Sequence, residues 1–117
     1  MSHFFRFLDF QTVAVNLAQQ GTEADLRTAV GRLYYALFHV AKERTGAKGK
    51  GIHKKVVQAV KKRDNATGNQ LDSLRRLRVA ADYELVPKDE RISRNWQQNW
   101  HTAHTIASHL LPKLWKV

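Results

Sequence analysis

The sequence predicts an all-α protein, an antiparallel (up-down) bundle of about five helices in one domain over residues 1–117. Three observations carry this. Apolar residues recur at helical spacing in five separate stretches. Clusters of Gly, Asn, Asp or Pro divide those stretches. No β-alternation, hairpin signal or internal repeat interrupts them.

The central stretch is Ala24 to Lys42, ADLRTAVGRLYYALFHVAK. It is apolar on nearly every side, which marks a helix that others must surround. It nevertheless carries Arg32, Tyr35 and His39 on one face, and polar groups on so buried a helix need partners. Before it, residues 3–20 read as a first helix with Phe4, Phe7, Leu8, Val15 and Leu17 on its apolar side. Gly21 stops that helix, and Thr22 caps the next. The second helix continues to about Thr45 and ends at Gly46. Gly46 to Gly51, G-A-K-G-K-G, is a flexible basic loop, and it is not a Walker motif because no Ser or Thr follows a G-K.

A third, short helix is expected over 52–62, with Ile52, Val56, Ala59 and Val60 inward and Lys54, Lys55, Lys61 and Lys62 outward. The turn formers D-N-A-T-G-N separate it from a fourth helix over 70–85. There Leu71, Leu74, Leu77, Arg78, Ala81 and Leu85 share a face. Pro87 breaks that helix, and a fifth follows from Asp89 to about Leu111, where Pro112 ends or kinks it. Its stripe includes Trp96, Ala103, Ile106 and Leu110, while Trp100 lies off the stripe, free for an interface or for base stacking.

Composition narrows the function classes. The chain has no cysteine, which removes disulfides, Cys-based zinc sites and thiol nucleophiles. The N-terminus lacks a signal-peptide pattern, and no stretch is long and apolar enough for a membrane span. A soluble cytoplasmic protein is expected. The net charge is +10, concentrated where Lys42, Arg44, Lys48, Lys50, Lys54, Lys55, Lys61, Lys62 and Arg63 meet only Glu43 and, at the edge, Asp64. Such a cluster recruits polyanions, nucleic acid first, and Lys48, Lys50, Lys54, Lys55, Lys61, Lys62 and Arg63 are its candidate contacts. No cofactor and no metal site is expected. His101 and His104 share a helix face, but no carboxylate nearby completes a zinc set.

Helix four also contains R-V-A-A-D-Y, Arg78 to Tyr83. Arg78 and Asp82 are one helical turn apart, and the small residues beside them permit close packing on helix two. Asp82 is expected within reach of Arg27, Arg32 or His39. Three segments in this order, R-T-A-V-G-R-L-Y-Y-A-L-F-H at 27–39, G-I-H at 51–53 and R-V-A-A-D-Y, resemble HEPN domains. The resemblance is to the small prokaryotic branch with Y-Y-A-x-F-H and A-D-Y, and it covers roughly Phe4 to Leu111.

That resemblance implies a homodimer and pairing with a nucleotidyltransferase in toxin–antitoxin or defence systems. It also implies a metal-independent ribonuclease, in which Arg holds the scissile phosphate and a His four to six residues later moves a proton. Here Asp82 and Tyr83 stand where that His is expected. Arg78, Asp82 and Tyr83 are therefore the catalytic candidates, supported by Arg32, Tyr35, His39 and His53. Arg94 and His101, in R-N-W-Q-Q-N-W-H, form a rival pair. The competing expectation is a non-catalytic module that binds nucleic acid and docks a nucleotidyltransferase or other partner.

Overall fold

The computed structural model describes the backbone of residues 3–117 and the side chains of residues 9–117. Its described part is five helices without a strand: α1 (His3–Gln20), α2 (Glu23–Thr45), α3 (Ile52–Arg63), α4 (Asn65–Tyr83) and α5 (Trp96–Leu114). Among the described residues no helix is long and apolar enough to cross a membrane.

Helix α2 is the axis, and it packs against all four of the others. Leu26, Val30, Leu33, Tyr34, Leu37 and Val40 are essentially inaccessible, so the apolar sides of the helix are covered, while Thr28 and Arg32 stay exposed on the face they share with Tyr35 and His39. Thr22 caps its start by accepting a hydrogen bond from the Asp25 N–H at 3.1 Å. Gly46 ends it at φ +70°, donating its N–H to the Lys42 carbonyl. A residue with a Cβ is strained there, and glycine is not.

Contacts along α2 set the direction of the rest. Phe10 of α1 stacks on His39. The loop after Gly46 returns the chain to the middle of α2, where His53 meets Tyr34 and Phe38. From there α3 advances to Arg63, which bonds the Arg44 carbonyl. Helix α4 then runs back to the start of α2, and α5 returns until Val117 receives a bond from Arg44. The C-terminal ends of α2, α3 and α5 thus gather at one pole.

Several expected boundaries move. The D-N-A-T-G-N segment is not a turn. Asp64 accepts from the N–H groups of Ala66 and Thr67 at 3.1 and 3.4 Å, so it is the N-cap of an α4 that starts at Asn65. The α3–α4 joint is this single residue. Gly68 makes it tight, because a Cβ there would lie 2.7 Å from the backbone of Lys61. Lys61 is consequently half-buried along its stem rather than outward. Helix α4 ends at Tyr83, and Leu85, expected on its apolar face, is exposed in the connection. Helix α5 begins at Trp96, seven residues later than expected. Asp89 folds onto the N–H and guanidinium of Arg91, and Asn95 supplies the cap, accepting from the Gln98 N–H. Pro112 lies within the last turn of α5 and does not end it. The expected contributions of Phe4, Phe7 and Leu8 lie outside the described side chains.

Candidate functional site

Two regions gather the residues singled out in the sequence. The first is a polar and aromatic cluster where the middle of α2, the start of α3 and the last turns of α4 meet. Arg78 is its centre. Its Nη2 donates to the Tyr35 hydroxyl at 2.7 Å and to the Tyr83 hydroxyl at 3.3 Å. The guanidinium also lies 5.1 and 5.3 Å from the centroids of those two rings. Its Nε is 2.9 Å from an Asp82 oxygen, but the N–H is not aligned with it, so this is an ion pair rather than a hydrogen bond. Burial opposes the Arg78 charge, and Tyr35, Asp82 and Tyr83 outweigh that opposition and hold its pKa above the ordinary value.

Among the described residues Asp82 therefore pairs with Arg78 on its own helix rather than with Arg27 or Arg32. It does face α2, because a Cβ built on Gly31 would sit 3.4 Å from an Asp82 oxygen. Asp82 and Arg32 line the same small cavity of about 130 Å³, with Tyr35 and Thr28, yet among the described residues they form no ion pair. The local contact wins because one helical turn fixes it without any tertiary fit.

His53 lies deeper. Its Nδ1 is 2.7 Å from the Tyr34 hydroxyl, and its ring stacks on Phe38 at 4.4 Å. Tyr34 is wholly buried, and burial pushes its hydroxyl up, so it stays protonated. The tautomer of the neutral ring sets which of the two groups donates in this bond. His53 is held below its ordinary value by burial first, then by Arg78, Arg75 and His39. His39 stacks on Phe10 and lies tilted against Tyr35.

The rival pair separates. Arg94 precedes α5 rather than sharing a helix with His101, and both side chains are exposed. Trp96 is core, and Trp100 is half-buried with its ring 5.4 Å from His104.

The second region is the basic face of α3 and the loop before it. Among the described residues the ion pairs occupy Arg27, Arg75, Arg76, Arg78 and Arg91. None of the nine cations from Lys42 to Arg63 is in one. Lys48, Lys50, Lys54, Lys55, Lys62 and Arg63 are exposed. Lys55 bends back over the loop, its Nζ 3.4 Å from the Lys48 carbonyl.

The cations at the far end of α3 have a local explanation, since Lys61, Lys62 and Arg63 sit in its last turn, where the helix dipole favours them. Lys54 and Lys55 do not. They occupy the first turns of α3, which holds no acidic residue there, and whose Gly51 cap has no side chain to give. The dipole disfavours cations at that end. Sequence reasoning missed Lys113 and Lys116. Lys113 bonds Gln70 and acts on Asp64, which brings the end of α5 to the same pole. Nothing in their local sequence signals that placement, which only the return path of α5 creates.

Arg27 was also under-read. It donates from Nη1 to the carbonyls of Ala80, Ala81 and Glu84 and from Nη2 to that of Leu85, at 2.6–3.2 Å. Its guanidinium covers Trp96 at 4.4 Å. One side chain closes the open carbonyl end of α4 and seats α5.

Comparison with protein-family models, curated proteins and solved structures gives no match.

Proposed function

We propose that this protein is a HEPN-like nucleic-acid-binding module of the cytoplasm that holds RNA through α3 and the Gly46–Gly51 loop. The observation that carries this reading is a basic run without an ion pair among the described residues, which places Lys54 and Lys55 at the unfavourable end of α3. A face kept only for solubility gains nothing from cations placed against a helix dipole, whereas a phosphate backbone reverses that cost. Binding is favoured over cleavage by the state of Arg78. Two tyrosine hydroxyls and Asp82 already hold its guanidinium, and Nδ1 of His53 is already engaged by the Tyr34 hydroxyl. The toxin–antitoxin or defence setting follows from the resemblance, as does partnership with a nucleotidyltransferase.

The test is fluorescence anisotropy of labelled RNA over a salt series. Four phosphate contacts predict a loss of about fifty-fold in affinity between 50 and 200 mM salt. Lys54→Glu with Lys55→Glu should weaken binding further and flatten that dependence. Binding that neither salt nor these substitutions alters would refute the reading. A ribonuclease assay beside it, with Arg78→Ala and His101→Ala, decides between binding and cleavage: turnover lost in either variant would make that residue catalytic.

A second reading concerns a protein partner, either a second copy or the nucleotidyltransferase. Tyr83, Leu85 and Val86 are exposed at the opposite pole, on a backbone that Arg27 pins through the Glu84 and Leu85 carbonyls. Exposed apolar residues on a fixed backbone suit a docking contact. Leu85→Asp should abolish such a complex in sedimentation without lowering stability.

A further inference from the structure

Away from both regions, α4 and α5 leave a groove beneath the segment that connects them. Two open cavities of about 230 and 290 Å³ share Arg76, Asp89 and Ile92 as lining, so they form one groove with two lobes. The size suits a small ligand. Its floor is apolar, with Leu77 and Ile106 in one lobe, Val79 in the other and Ile92 common to both. Ser73 and Thr102 add hydroxyls to the first lobe.

The charges on the rim do not cancel. Arg91 is matched by Asp89 through two contacts of 2.9 and 3.0 Å. Glu84 and Lys88 line the same lobe with opposite charges, and the Glu84 carboxylate accepts the Lys88 backbone N–H at 2.9 Å. Asp72, however, serves two guanidiniums at once, Arg75 Nε at 2.9 Å and Arg76 Nη2 at 3.0 Å. One carboxylate against two cations leaves a positive charge uncompensated. It falls on Arg76, whose side chain is 43% exposed against 18% for Arg75. A guanidinium in that state is a donor for a carboxylate.

We propose that this groove binds an amphipathic monoanion, a single carboxylate on an apolar chain or ring. The carboxylate meets Arg76, and the apolar part lies across Ile92 into the lobe of Leu77 and Ile106. More highly charged anions and nucleic acid are disfavoured, because Asp89 and Glu84 flank the same opening. The inference is independent of the basic face.

Amide shifts of ¹⁵N-labelled protein test it, with decanoate as the probe below its micelle concentration and decanol as the uncharged control. Saturable shifts at Ile92, Thr102 and Ile106 are expected, with decanol at least tenfold weaker. Arg76→Glu should weaken decanoate at least tenfold. Thr102→Trp, which fills a lobe without changing charge, should abolish binding. Shifts centred on Lys48 to Lys62, equal affinity for decanol, or indifference to both substitutions would overturn the proposal.

Discussion

Helices α3 and α4 lie side by side, joined by one residue, and use their cations in opposite ways. On α4, Arg75, Arg76 and Arg78 each contact an acid one turn away, Asp72 or Asp82. Arg75 and Arg78 are held inside the fold, while Arg76 shares its acid with Arg75 and stays partly exposed. On α3 there is no acid, and its four lysines and Arg63 are in no ion pair among the described residues. The pairing of α4 makes a framework and the lack of it on α3 makes a surface. Proximity of a charge to a site is thus a poor guide to its role, and the state of its partners is a better one.

Four measurements would break or sharpen that contrast. The largest effect is expected from Arg27→Ala, which uncovers the carbonyl end of α4 and removes the stack on Trp96. Loss of several charge-assisted bonds should cost about 3 kcal/mol in denaturant unfolding. A loss under about 1 kcal/mol would place Arg27 with the surface cations instead. Next is Tyr34→Phe, which leaves the His53 ring without its hydrogen-bond partner and should cost about 1 kcal/mol.

Third, Lys54→Glu should raise stability by about 0.3–1 kcal/mol, because an acid replaces a cation at a helix N-terminus. Lys62→Glu, at the other end of the same helix, should lower it by a similar amount. Equal effects at the two ends would remove the reason for treating Lys54 as placed for a ligand. The smallest effect is the pH dependence of His53. Its folded-state pKa lies below the ordinary value, so the unfolded chain takes up the proton first. Its contribution to stability is complete above about pH 6.5 and is lost as pH falls through the lowered folded value. Thermal melts should show a fall over that acid range which His53→Gln removes, and a variant with the same slope would assign the proton elsewhere.

Much of the fold is legible in the sequence where the signal is local. Helix α2 is apolar on nearly every side, and Thr22, Gly21 and Gly46 mark ends that chain geometry alone dictates. The start of α4 is harder to read, since Asp64, Asn65 and Gly68 belong equally to a turn and to a capped helix. What decides is the fit of Gly68 against Lys61, which no local pattern records. The candidate site divides in the same way. Arg78 with Asp82 is a one-turn relation and visible as such. Arg27 bonds carbonyls more than fifty residues away, and its partners exist only once α4 has ended where it does. Lys113 joins the basic pole for a similar reason.

The one-residue joint at Asp64, with Gly68 against Lys61, has an entropic consequence. It leaves α3 no slack to slide or pivot on α4. The attachment points of Lys54, Lys55, Lys61 and Lys62 are therefore fixed before any ligand arrives, and binding has only their side chains to order, about 0.5–1.5 kcal/mol each. Lys48 and Lys50 hang from a glycine loop and must also surrender backbone freedom, about 1–2 kcal/mol per residue. Equal charges on this surface are therefore unequal in affinity, with the helix lysines the stronger.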